Sequence, residues 1–273
     1  QYNISAEHTP KVTILIPTKD RIDLLKPCLE SIRSTTQYPN YEVVVIDNNS
    51  EDPHTAAYLS EIPETVLRID TPTFNFAHIN NEAAKRTSGE LLLLLNNDTE
   101  PVHPSWLTTM VGTLLLDKDI GVVGSKLLYP KGQEGYRVQS VGMVVGRHWA
   151  SLVQFRTEEE LGYGFYNHVM RNCSAIGGAC LLTTRELFER VGGLDEQKFG
   201  VDFGDVDFCL KVQQEGFRVV CNPQAEIIHH ESATRGNNSG LGANVHRHEI
   251  NAFEKKWGHL FGNDPYYNRH FSL

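Results

Sequence analysis

Residues 91–101 read LLLLLNNDTEP. Five leucines without polar alternation fit a strand covered on both faces, as in the middle of an α/β sheet. Such a strand delivers Asn96, Asn97 and Asp98 to its C-terminal edge, where open α/β sheets bind ligands. A divalent cation held by Asp98 is one reading of that edge. A plain turn is the other, since Asn and Asp both favour turns. The surrounding chain has to decide between them.

Upstream, Val12 to Ile16 (VTILI) reads as a buried first strand ended by Pro17, with Thr18, Lys19 and Asp20 leading into a helix over 21–34. Leu24, Leu25, Cys28, Leu29 and Ile32 recur there at helical spacing. Tyr41 to Ile46 is a second buried strand ending in Asp47, and Val66 to Ile69 a third ending at Asp70. A short helix to Glu61 and another over 75–86 separate these strands. Strands alternating with helices imply a parallel sheet with right-handed crossovers. Three strands then bring Asp47, Asp70 and Asp98 to one edge. Carboxylates gathered so closely repel one another unless a cation or hydroxyl groups answer them. Helix capping or turn formation is the competing role, above all for Asp70, which precedes Thr71-Pro72.

Downstream, a helix to Leu116 precedes a fifth strand at Gly121 to Lys126, and Tyr136 to Val145 reads as antiparallel structure. Residues 149–171 are rich in aromatic rings, Trp149 among them. They could stack on sugar rings or pack a peripheral core. Ser174 to Leu182 combines Gly177 and Gly178 with an apolar strand, so backbone can approach a ligand or a neighbouring strand closely. A helix over 184–191 follows. Asp202, Asp205 and Asp207 then precede a helix, a position that also suits its dipole. Strands at 217–222 and 225–229 end in His229-His230, either structural histidines or metal ligands. Residues 234–244 read as a mobile loop, 243–257 as a helix and 261–273 as an aromatic-rich tail.

Composition narrows the function. The chain has 273 residues and a formal net charge of -9, which argues against general nucleic-acid binding. No apolar run approaches the ~20 residues of a membrane span, and no secretory signal is present. The five cysteines, Cys28, Cys173, Cys180, Cys209 and Cys221, lack metal-type spacing and read as reduced and buried in a cytosolic protein. A chain starting at Gln1 reads as part of a longer protein.

Taken in order, the segments VTILIPTKDR, VVVIDNNSED, FNFAHINNEAA, LLLLLNNDTEP, GGLDEQKFGVDFGDVDFCLKVQQEGFRVV and AEIIHHESATRG resemble family-2 glycosyltransferases of the GT-A fold. The similarity is greatest to bacterial enzymes building O-antigen, rhamnan and other surface polysaccharides. It extends from Val12 to the C-terminus and implies one GT-A domain over 1–273. That fold has a mostly parallel central sheet flanked by helices and a smaller antiparallel part near the acceptor. Residues 11–126 would form the nucleotide-binding half, 127–243 the acceptor and catalytic half, and 244–273 a C-terminal helix and tail. Pro17 and Thr18 fall where the family contacts the nucleoside, and Asp47 where it binds the base. Asn81 lies in the donor-binding helix region. Asn96-Asn97-Asp98 occupies the place of the Asp-X-Asp motif. Asn96 stands where the first aspartate is usual, leaving Asp98 as the direct ligand of Mn²⁺ or Mg²⁺. His229, or its neighbour His230, matches the histidine that completes the metal site. Asp205 matches the catalytic base, and Trp149, Gly177, Gly178 and Asp207 fall on the acceptor side.

The resemblance implies an inverting transfer of a sugar from a dTDP-, UDP- or GDP-sugar to a glycan or lipid-linked glycan, rhamnose being one candidate sugar. The location implied is cytoplasmic, at the inner membrane face with peripheral contact. A cation neutralises the diphosphate leaving group. Asp205 takes the proton of an acceptor hydroxyl too weakly nucleophilic by itself. Arg235 could close over the diphosphate and exclude water. Two other readings stand beside this one: a sugar-phosphate nucleotidyltransferase and a catalytically silent glycan-binding domain. The first, like a dinucleotide-dependent oxidoreductase, calls for glycines after the first strand, and PTKDR has none.

Overall fold

The computed structural model describes residues 9–133, 135–146, 150–152, 154, 157–230, 247–268 and 270. Its strands are β1 (Val12–Thr18), β2 (Tyr41–Asp47), β3 (Thr65–Arg68), β4 (Leu91–Leu95), β5 (Thr99–Pro101), β6 (Ile120–Leu128), β7 (Val138–Ser140), β8 (Met143–Val145), β9 (Ala150–Leu152), β10 (Arg171–Asn172), β11 (Cys180–Thr184) and β12 (Arg218–His229). Its helices are α1 (Ile22–Thr35), α2 (Pro53–Glu61), α3 (Phe76–Lys85), α4 (Trp106–Leu114), α5 (Arg185–Arg190), α6 (Gly204–Gln214) and α7 (Arg247–Trp257).

The main sheet has the order β10-β12-β6-β11-β4-β1-β2-β3. β3, β2, β1 and β4 run parallel. β11 is antiparallel to both β4 and β6, so β6 points the same way as β4, and β12 lies parallel to β6. The result is a mixed, mostly parallel α/β sheet. The four strands expected to be parallel, β1 to β4, are parallel, and the direction reverses at β11. A reversed strand starts at the edge where its neighbours end, so Gly177 and Gly178, just before β11, arrive beside the end of β4. The same geometry carries His229, at the end of β12, to that edge.

The leucine run divides by parity. Leu92 and Leu94 belong to one core layer with Ala77, Ile79 and Ala83 of α3, Phe208 of α6 and Phe253 of α7. Leu91, Leu93 and Leu95 belong to the other, with Leu25, Leu29 and Ile32 of α1 and Trp106 and Met110 of α4. All five are buried. Each fully buried leucine contributes about 1.5–3 kcal/mol relative to exposure.

Several boundaries differ from the sequence reading. β1 runs through Pro17 to Thr18, and Pro17 lies opposite Ile46 of β2. The two strands expected at 217–229 are one twelve-residue strand with a register shift between Asn222 and Glu226. The strand expected from Ser174 begins only at Cys180. β5 was not legible: Thr99–Pro101 forms a three-residue strand pairing with the end of β12, Thr99 opposite His229. All five cysteines are free and buried, and burial pushes their thiols up, Cys221 to about 11. None therefore offers a thiolate nucleophile. Among the described residues no helix is long and apolar enough to cross a membrane.

Candidate functional site

The edge at the end of β4 gathers side chains from four strands. Asp98 is buried. Its Oδ1 has no hydrogen-bond partner and lies 3.3 Å from His229 Nε2. Asn96 Nδ2 is 3.3 Å from the same Nε2, and His229 Nδ1 is 2.7 Å from Gln139 Oε1. The pairing of β5 with β12 holds this cluster, and the His230 N–H donates to the Asp98 carbonyl at 2.9 Å. His230 turns its ring the other way, Nε2 lying 2.7 Å from Glu100 Oε1. The choice between the two histidines therefore falls on His229.

A buried carboxylate oxygen without a donor costs at least about 1–3 kcal/mol, and such orphans mark sites where a missing partner belongs. A carboxylate oxygen facing an imidazole nitrogen is a donor pair that suits a divalent cation such as Mn²⁺, while Mg²⁺ would draw chiefly on the oxygen. The residues thus fit the ion. They supply two ligands: among the described residues no group of three or more His, Cys, Asp or Glu side chains could hold a metal.

Asn97 is buried and donates from Nδ2 to Thr18 Oγ1 at 3.1 Å, tying the ends of β4 and β1. The Thr18 carbonyl accepts the Asn48 N–H. Asp47 is buried at the end of β2. Its Oδ1 accepts the Ser50 N–H at 3.0 Å, and its Oδ2 pairs with Arg68 at 3.0 Å. Asp70 corrects the expectation of three converging carboxylates. β3 stops at Arg68, and Asp70 is exposed, paired with Arg68 at 2.9 Å.

Asp205 reaches the edge from the first turn of α6. Its Oδ2 accepts the Gly178 N–H at 2.6 Å and its Oδ1 the Val206 N–H at 2.8 Å. The next carbonyl along, Ala179, accepts the Asn96 N–H at 3.1 Å. Two hydrogen bonds, one from the Gly178 N–H to the Asp205 carboxylate and one from the Asn96 N–H to the Ala179 carbonyl, therefore connect Asp205 to the Asn96-Asn97-Asp98 turn. α6 starts at Gly204, so Asp205 and Asp207 lie inside it rather than before it. Phe203 precedes it with φ 61°, a left-handed conformation that costs a non-glycine residue about 1–2 kcal/mol.

One face of α7 holds this strained loop. Glu249, Phe253 and Trp257 recur every four residues, hence on one side of the helix. Glu249 accepts the Val201 and Asp202 N–H groups at 3.2 and 2.7 Å. The Phe253 ring stacks on Phe203 with centroids 4.7 Å apart. Trp257 Nε1 donates to Asp207 Oδ1 at 2.8 Å, and Lys256 pairs with the same oxygen at 2.6 Å.

These contacts correct two assignments. Asp207 is fully buried against α7 and cannot face an acceptor. Asn81 spends its amide on Leu194: Nδ2 donates to the Leu194 carbonyl and Oδ1 accepts its N–H, both at 2.9 Å. Gly193 permits this grip, since a Cβ there would lie 2.6 Å from Asn81 Oδ1. Asn81 is therefore a staple between α3 and the 194 loop, not a donor ligand. Trp149 and Arg235 lie outside the described residues. Sequence reading missed Gln139 and Glu249 altogether, since a lone Gln in a short strand and a Glu in a helix carry no local signal.

Residues 13–192 match the family described as "Glycosyl transferase family 2". The chain is 42% identical over 271 residues to the O-antigen biosynthesis protein RfbC of Myxococcus xanthus, covering 97% of this chain and 20% of that protein. It is 37% identical over 278 residues to an uncharacterized protein of Sinorhizobium fredii, covering 98% of this chain and 30% of that one. The chain thus spans less than a third of either relative. Among solved structures it resembles a mannosyltransferase from Pyrobaculum calidifontis in complex with GDP-Man and Mn²⁺. The TM-score is 0.59 and the identity 20%, over 86% of this chain and 61% of the other.

Proposed function

The chain belongs to glycosyl transferase family 2 and has a GT-A fold, and from that premise we propose that it moves a sugar from a nucleotide-sugar to a glycan hydroxyl with inversion at the anomeric carbon. The observation that carries this reading is the pairing at the sheet edge. The orphaned Asp98 Oδ1 faces His229 Nε2, and two hydrogen bonds link Asp205 to the same turn.

A cation held by Asp98 and His229 would supply charge neutralisation to the diphosphate leaving group. Thr18 and Asp47, at the ends of β1 and β2, border the nucleoside. Arg68, half exposed, pairs with Asp47 and holds that carboxylate in place for the base. Asp205 is held by the Gly178 and Val206 N–H groups, which orient its carboxylate. It accepts the proton of the acceptor hydroxyl as that oxygen bonds to the anomeric carbon and the bond to the diphosphate breaks. One displacement, from the face opposite the leaving group, inverts the centre. Gly177 and Gly178 let the acceptor come close to Asp205. The acceptor is a growing surface polysaccharide or its lipid-linked precursor, met at the cytoplasmic membrane face, and the whole chain acts as one transferase domain.

Calorimetry with UDP-, dTDP- and GDP-sugars, dTDP-rhamnose included, tests this directly. One donor should bind with Mn²⁺ and lose at least tenfold in affinity with chelator or in Asp98→Ala. Binding indifferent to both would remove the cation site. Glycan binding without any donor would mark a silent domain instead. NMR of the product should show the anomeric configuration opposite to the donor's, and retention would overturn the single displacement.

A further inference from the structure

We infer that Gln139 is a positioning residue for the cation site: its amide oxygen fixes the tautomer of His229 that turns the Nε2 lone pair toward Asp98. The inference rests on the reading that Asp98 and His229 hold a divalent cation, and it names the residue that prepares the histidine for it.

The backbone puts Gln139 there by an irregularity. β7 pairs with β6 with Ser140 opposite Leu127 and Val138 opposite Leu128. Two steps along β7 thus match one step along β6, and Gln139 is the extra residue. Bulges of this kind re-aim a side chain and are common beside active sites. The re-aimed Gln139 is 2% exposed, and its Oε1 lies 2.7 Å from His229 Nδ1. An amide oxygen has lone pairs only, so Nδ1 must carry the proton in that bond. A neutral imidazole has one N–H, which leaves Nε2 bare.

An independent contact agrees. Asn96 Nδ2, a donor, lies 3.3 Å from Nε2, as an acceptor nitrogen requires. Asp98 Oδ1, although 3.3 Å from Nε2, receives no hydrogen bond. Two lone pairs therefore face each other in a buried place, the arrangement a cation resolves. Ligating histidines commonly have the other ring nitrogen held by an outer acceptor. Loss of that acceptor typically costs 10–100-fold in metal affinity.

The test pairs a spectroscopic readout with a binding one. ¹⁵N NMR of the unmetallated protein, at a pH where histidine is neutral, should show His229 as the Nδ1–H tautomer. Mn²⁺ affinity is read by loss of the free-ion EPR signal, alone and with UDP, dTDP or GDP. Gln139→Leu should weaken it 10–100-fold, while Gln139→Glu, which keeps an acceptor oxygen, should retain or tighten it. An Nε2–H tautomer in the wild type overturns the inference, as does a folded Gln139→Leu with Mn²⁺ affinity within twofold of wild type. If Gln139→Leu does not fold, the tautomer and Gln139→Glu decide, and weakened binding in the latter counts against. Wild-type Mn²⁺ binding no stronger than that of Asp98→Ala would sink the cation reading itself, and this inference with it.

Discussion

Asp98 and Asp205 reach the same edge by different routes. Asp98 follows a strand with all five residues buried, paired with β1 on one side and β11 on the other. Its backbone position is a consequence of the sheet and would change only if the sheet did. Asp205 follows a loop with a left-handed Phe203, held in place by a helix more than forty residues further along the chain. The first carboxylate is placed by regular structure, the second by a clamp that has to offset backbone strain. A sheet-borne ligand should tolerate loss of the clamp, and a clamp-borne base should not.

The sharpest way to break this comparison is to separate the two carboxylates chemically. Asp205→Asn keeps the size of the side chain and removes the proposed base. Transfer should fall by about 10²–10⁴-fold in kcat, the usual contribution of general base catalysis, with Mn²⁺-dependent nucleotide binding within twofold of wild type. Loss of nucleotide binding would mean that the two routes converge on one shared structure. Full activity would remove Asp205 as the base.

The same division decides how much was legible in the sequence. The leucine strand, the Asp47 and Asp98 strand ends and the helical spacing of α1 are patterns within one element, and they placed the edge that carries the candidate site. Asp205 and His229 came from resemblance, because nothing local distinguishes them from a helix-start aspartate and a strand-end histidine. Asn81 and Asp207 were misassigned for one reason: both are polar residues on helices, and the partners that claim them are distant in sequence. Leu194 lies 113 residues from Asn81, and Trp257 lies 50 from Asp207. Gln139 depends on a bulge, which is a property of two strands together.

Removing the ring at the centre of the clamp is the next test in size. Phe253 is 1% exposed and touches both Phe199 and Phe203. Phe253→Ala should destabilise the chain by about 3–5 kcal/mol, as for other buried aromatic truncations, read by denaturant titration. In the fraction still folded at low temperature, kcat should fall while Mn²⁺-dependent nucleotide binding persists. Equal losses in both would show that α7 supports the whole edge rather than the Asp205 loop.

The smallest effect is expected at Glu249, and its sign carries the information. Burial pushes the Glu249 carboxyl above its ordinary value of 4.5, outweighing the Asp202 and Val201 N–H groups that favour the ionised form, with the Asp202 charge adding to the rise and His248 opposing it. A folded value above the unfolded one means that the folded state holds the proton more readily than the open chain. The stability that Glu249 contributes is then fully present below pH 4.5 and is lost as pH rises through the raised value. Glu249→Gln has no such ionisation and gives up one of two N–H bonds, about 0.5–1.5 kcal/mol. Wild type should therefore lose ground to the variant as pH rises past 4.5, and the gap between their Tm values should narrow. Transfer by the variant should nevertheless fall severalfold at neutral pH, because one N–H of the strained loop is no longer held. A gap that widens with pH would mean that the two N–H bonds outweigh burial, and that the clamp holds Asp205 more tightly than its position beneath α7 implies.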